Sequence, residues 1–150
     1  MVTFRYNLQE TCSSFKPKTP LGRRLWSIRK RIVASGETLL EILDDQSREF
    51  VSSPFVELEV LPKAIYNGKK DEVEFYEAFF SSVSFWEDDL VEIVKTGNSI
   101  ARSFGLAAMD SLHVAAAVLS GAEELVTTER ASKPIHRVQG IRVTSIHKDS

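Results

Sequence analysis

The sequence predicts an α/β domain built on a largely parallel sheet. Three observations carry this. Short runs rich in β-branched and aromatic residues alternate along the chain with longer segments of helical period. The length of 150 residues suits one domain large enough to bury its own core. A composition of 43% apolar and 27% charged residues belongs to a globular protein, not to a disordered or fibrous one. No internal repeat, linker or low-complexity segment divides the chain, so residues 1–150 read as a single domain.

The elements follow in order. "MVTFRY" has strand composition, and "NLQETCSSFKPKTPLG" after it reads as loop from its Pro, Ser and Gly. "RRLWSIRKRIV" sets Leu25, Ile28 and Ile32 at helical spacing until "SGE" interrupts. "TLLEILDD" resumes the period, with Thr38 and Glu41 placed as a capping box. "REFVSS" is a short strand. Ser53 and Pro54 then open a helix over "SPFVELEVLPKAIY", since proline suits a first helical turn. In "KDEVEFYEAFFSSV", Val73, Tyr76 and Phe80 predict a buried stripe, with Glu72, Glu74 and Glu77 outside it. "SFW" is a brief strand, and "EDDLVEIVKTGNSIARSFG" a helix with acids in its first turn, as the helix dipole favours. A helix of small residues stops at Gly121, "ELVTT" forms the next strand and "IRVTSI" the last. Trp26 and Trp86 are expected in or at the edge of the core.

Charge is unevenly spread. Residues 1–31 hold eight basic side chains against one acid, Glu10, while the remainder carries eleven basic and twenty acidic residues. Three readings fit the basic end: contact with nucleic-acid phosphate, an organelle-targeting segment, or a solvated helix face. Cys12 is the one cysteine, which excludes an internal disulfide and points to a reducing, cytoplasmic setting. No apolar run approaches the roughly 18 residues of a membrane span, so no membrane association is expected.

The chemistry concentrates in "AAMDSLHVAAAVLSGAEELVTTER", residues 107–130, where Asp110 and His113 lie one turn apart and a strand runs out onto Glu129. Parallel sheets build their sites beyond the carboxyl ends of their strands. Glu129 stands at such an end and Asp110 near a helix start, so the two can meet. Read alone, each is also an ordinary surface acid or cap. Asp44, Asp45, Asp88 and Asp89 are most simply helix-end charges. Thr127 and Thr128 are strand residues, or one of them orients an acid by hydrogen bonding.

This stretch resembles the C-terminal half of a PIN domain, the nuclease fold of VapC-type toxins, with its "xDxxHxAxA" helix and its strand ending on a further acid. "FVSSPFVELEV" resembles the family's second segment, in which a Ser-containing strand leads into a helix bearing an acid. The resemblance covers residues 50–146. It implies a three-layer fold, with a mostly parallel central sheet flanked by helices, and a divalent-metal-dependent endoribonuclease acting as the toxin of a toxin–antitoxin pair. Glu59, Asp110 and Glu129 are then the catalytic and metal-binding acids for Mg²⁺ or Mn²⁺, hard cations that take oxygen ligands. Glu57 is the rival of Glu59: spacing alone does not choose, and the family's offset from Ser53 favours Glu59. His113 in this pattern packs against the sheet or bonds an acid. RNA is the implied substrate, with an antitoxin protein and a second copy of the chain as partners.

The chain departs from the family at its start. The family's first strand ends in Asp, whereas no Asp occurs before Asp44; Asn7 stands roughly in its place and Glu10 is the nearest acid. Residues 16–45 read as an insertion or an atypical N-terminal segment. The departure opens an alternative function, a catalytically impaired PIN fold that binds RNA or a protein partner without cutting.

Overall fold

The computed structural model describes residues 2–6 and 41–147. Strand β1 (Val2–Tyr6) precedes β2 (Arg48–Ser52), α1 (Pro54–Tyr66), α2 (Lys70–Phe80), β3 (Phe85–Trp86), α3 (Leu90–Phe104), α4 (Ala108–Leu119), β4 (Glu124–Thr127), a 3₁₀ turn (Pro134–Arg137) and β5 (Arg142–Ser145). The protein is a mixed helix–strand domain with short strands, in agreement with the α/β reading. The helices expected over "RRLWSIRKRIV" and the start of "TLLEILDD" lie outside the described residues, as do Trp26 and the basic residues from Lys16 to Arg31.

The five strands form one sheet in the order β3-β2-β1-β4-β5. β2 pairs parallel with β3, and β4 parallel with β5. β1, between them, pairs antiparallel with both neighbours, with Thr3 opposite Val51 and Leu125. Four strands therefore share one direction and the central one opposes them. The largely parallel sheet holds for the outer pairs and gives way at the centre. β1 and β2 are separated by a long stretch of chain, so no short crossover dictates their relative direction, and β1 pairs antiparallel with β2 over Thr3–Tyr6 and with β4 over Val2–Phe4.

Successive residues of a strand face opposite sides, and β4 shows the consequence. Val126 packs with Leu43, Phe50, Ala78, Phe79 and Ile146 on one side. Leu125 packs with Val114, Ala117, Leu106, Ile135 and Ile141 on the other. Both faces of the sheet are thus buried, one against α2 and the other against α4. The α2 stripe differs from expectation: Ala78 and Phe79 are its buried residues, while Val73, Tyr76 and Phe80 are only partly covered. "FYEAFF" offers aromatic side chains on every side of a helix, so the period alone does not say which side meets the sheet. Phe80 instead packs on Trp86, ring centroids 5.5 Å apart, which places Trp86 at the core's edge as expected.

Helix α4 is buried along most of its length because its residues are small. Val114 and Ala117 meet the sheet side, while Ala115 and Ala116 join Ile93 of α3 in a separate apolar cluster. Gly97 of α3 allows the close approach: a Cβ there would stand 3.3 Å from both Leu112 Cδ2 and the Ser111 carbonyl oxygen. The Asp89 carboxylate caps α3 by accepting the Glu92 N–H at 3.0 Å, and Gly105 ends it at φ 69°, a left-handed conformation glycine adopts freely. These contacts fix the start of α4, and with it Asp110.

Candidate active site

β2 and β4 deliver their carboxyl ends to the same edge of the sheet, and three acids reach that edge from three elements. Glu59 comes from the second turn of α1, Asp110 from the first turn of α4, and Glu129 from just beyond β4. Local chemistry places each. Ser53 is the extended residue before α1 and Pro54 opens the helix, as the sequence predicts, although the Ser53 hydroxyl makes no capping bond. The backbone of Glu129 is held on both sides: its N–H donates to Thr127 Oγ1 at 3.0 Å, and its carbonyl accepts the Ser145 hydroxyl at 2.6 Å. Thr127 thus holds the backbone at Glu129, not its carboxylate.

Glu57 and Glu59 point to different sides of α1. A Glu59 carboxylate oxygen lies 2.8 Å from His113 Nε2. Glu57 instead lines an open apolar groove on the outer side of the helix, with Pro54, Leu58, Leu61, Ile65 and Tyr66. His113 is buried, at 2% exposure, and bonds an acid, in keeping with the pattern's ordinary role for it.

The electrostatics tie the acids together. The Asp110 carboxyl is pushed above the usual aspartate range, first by burial and then by the negative charge of Glu129, with Glu59 adding in the same sense. His113 and Lys133 act against this without overcoming it. Asp110 receives no hydrogen bond among the described residues. Glu59 moves the other way: the hydrogen bond from His113 holds it below the usual glutamate range in spite of partial burial. Lys133 was not singled out by its sequence context. A lysine four residues past the strand-end acid looks like any solvated loop charge until the fold returns it to Asp110.

Among the described residues, no group of three or more His, Cys, Asp and Glu side chains is gathered closely enough to hold a metal ion as it stands. The donor chemistry nevertheless fits a hard divalent cation. The set is all carboxylate oxygen, its members repel one another, and Mg²⁺ commonly takes only one or two carboxylates with water at its other positions. Asn7 and Glu10, the weaker candidates, lie outside the described residues. β1 itself runs so that Tyr6 sits opposite Arg48, at the far edge of the sheet from Ser52.

Comparison with known proteins yields no match to this chain among family models, curated proteins or solved structures.

Proposed function

We propose that the chain is a PIN-type endoribonuclease that uses Mg²⁺ or Mn²⁺, the toxin of a two-protein toxin–antitoxin pair, with the three-layer arrangement of that fold. The supporting observation is the Asp110 carboxyl at the carboxyl edge of the sheet, raised first by burial and then by the charges of Glu129 and Glu59. An Asp110 carboxylate held near the charges of two other acids is costly to a fold, and a bound cation would offset the cost. A carboxyl shifted by burial together with neighbouring charge is a candidate functional group.

In this reading Glu59, Asp110 and Glu129 hold the cation, which when bound neutralises phosphate charge and supplies an activated water for hydrolysis of a phosphodiester. The chain's own residues do the rest. Thr127 and Ser145 fix the backbone of Glu129. Lys133, close enough to act on Asp110, is placed to contact a phosphate oxygen of the RNA. A protein antitoxin and a second copy of the chain are the partners this reading carries, and a cytoplasmic setting goes with them. Among the described residues no helix is long and apolar enough to cross a membrane.

One observation favours the second reading, a PIN fold that binds RNA without cutting. The central strand runs against its neighbours, so the end of β1 at Tyr6 lies away from the edge where the three acids gather. A fluorescent single-stranded RNA, offered with Mg²⁺ or Mn²⁺ to the wild type and to Asp110→Asn, separates the two. Cleavage that is lost in the variant supports the nuclease. RNA retained by both proteins without cleavage supports the binding protein.

A further inference from the structure

The balance of charge changes sign along the chain. Residues 41–129 hold six Lys and Arg against eighteen Asp and Glu, whereas residues 130–147 hold Arg130, Lys133, Arg137 and Arg142 and no acid. Arg142 opens β5 opposite Glu124, at the edge where β4 begins. The other three lie in the loop and 3₁₀ turn that follow Glu129, and all three are exposed. Two successive turns fold this segment tightly. The Lys133 N–H donates to the Arg130 carbonyl at 2.9 Å, and the His136 N–H to the Lys133 carbonyl at 3.2 Å.

Arg130 is held by a neutral partner. The exposed cations Lys69 and Lys95 meet acids, Glu72 at 2.8 Å and Glu92 at 3.3 Å. Arg130 Nε donates to His147 Nε2 at 3.1 Å. A guanidinium only donates, so this ring nitrogen is bare and the imidazole uncharged. An acid in that place would cancel the charge of Arg130; the ring fixes its direction and leaves the charge whole. Nη1 and Nη2 make no bond among the described residues. They form a planar fork of the kind that pairs with two phosphate oxygens. Lys133 and Arg137 form no ion pair among the described residues either.

His147 is fixed in turn. Its backbone N–H donates to Ser145 Oγ at 3.1 Å, and that hydroxyl donates to the Glu129 carbonyl at 2.6 Å. His136 Nε2 lies 3.4 Å from the same carbonyl. One backbone oxygen thus gathers the end of β5 and the turn around Arg130. A side chain ordered before its ligand arrives loses less freedom on binding.

We infer that Arg130, held by His147, is a phosphate-binding side chain for single-stranded RNA, and that Lys133 and Arg137 extend it into one sequence-independent binding surface. His147 is its positioning residue. The inference rests on the reading of the chain as a protein that acts on RNA, cutting it or not.

The test measures RNA affinity in EDTA, by anisotropy of a fluorescent single-stranded RNA over a range of salt, with cleavage in Mn²⁺ followed separately. The full chain is compared with Arg130→Gln, His147→Phe, their double variant and Lys95→Gln, and thermal melts confirm folding. Arg130→Gln is expected to weaken binding about fivefold for RNAs of any sequence, and to reduce the slope of log affinity against log salt by about 0.7. His147→Phe is expected to weaken binding about two- to threefold with the slope kept, since the charge remains. The double variant is expected no weaker than Arg130→Gln alone, because His147 acts through Arg130. Lys95→Gln removes the same charge from α3 and is expected to stay within about twofold of the wild type.

Equal affinity and slope in Arg130→Gln and the wild type would overturn the role, whether or not the wild type cleaves. A loss as large in Lys95→Gln would overturn it in favour of net charge, and displacement of the RNA by polyglutamate at equal charge in favour of an acidic protein partner. A His147→Phe affinity equal to the wild type's overturns the positioning by His147. Arg130-dependent binding without cleavage in Mn²⁺ sinks the nuclease reading and leaves this surface standing. A wild type that binds no RNA overturns the inference, and the nuclease reading falls with it only if cleavage is absent as well.

Discussion

The two edges of the sheet handle acid in opposite ways. At the edge where β2 and β4 begin, Glu124 is 4% exposed and fully partnered: Arg48 Nη1 donates to it at 2.9 Å, and the Thr144 hydroxyl donates to its other oxygen. Arg48 also bonds Asp45 at 3.2 Å. Burial alone would raise the Asp45 carboxyl, but the Ser47 hydroxyl and amide, with Arg48, hold it below its usual range. At the edge where β2 and β4 end, Asp110 is raised, lacks a hydrogen bond among the described residues, and faces two further acids. Acid that has been given partners maintains a fold. Acid left without them, as Asp110 is among the described residues, gains no such support from its neighbours.

The largest effect that could break this contrast lies at the partnered edge. Arg48→Met leaves Glu124 charged and buried without its main cation, with an expected loss of about 3–5 kcal/mol in urea unfolding. Arg48→Met/Glu124→Leu should recover most of that loss, because removing both charges removes the uncompensated one. A loss near that of an exposed pair, under about 1 kcal/mol, would erase the distinction between the edges. Next comes the seam behind the unpartnered edge. Gly97→Ala forces a methyl against Leu112 and the Ser111 carbonyl, adjacent in sequence to Asp110. Overpacking there is expected to cost about 1–3 kcal/mol in calorimetric melting.

Smaller effects of opposite sign distinguish the acids of the unpartnered edge. The folded Asp110 carboxyl lies above its ordinary value of 3.8, so between the two values the folded chain binds more protons than the unfolded one. Stability then falls as pH rises through that window. Asp110→Asn should therefore melt higher than the metal-free wild type at pH 7, with the difference vanishing in acid below the ordinary aspartate range. Glu59 has a lowered folded value, so its contribution is present above its ordinary value of 4.5 and lost as pH falls through the folded one. Glu59→Gln should melt slightly lower than the wild type at pH 7, the smallest shift of the set because Glu59 is half exposed. Parallel shifts in both variants would show that the acids do not differ as the geometry requires.

Much of this was legible in the chain. Ser53-Pro54, the acids of "EDDL" and the small residues of α4 have local reasons to stand where they do, and the corresponding elements form as read. That the charge of Glu129 acts on Asp110 accords with a sheet topology that brings strand ends and helix starts to one edge. Three things were not legible. The direction of β1 leaves no mark in "VTFRY", since alternation reads the same either way along a strand. The buried side of α2 was ambiguous among its aromatics. The bond between Glu59 and His113 joins residues 54 positions apart, and no local pattern specifies it.

The most direct test is the melting temperature of the wild type and Asp110→Asn at pH 7, without metal and with Mn²⁺ at about tenfold over its Kd. Without metal the variant should be the more stable. Mn²⁺ should then raise the wild type by about 3–6 °C and leave the variant nearly unmoved, reversing their order. A wild type more stable than the variant without metal, or unmoved by Mn²⁺, would contradict the assignment of this edge as a cation site.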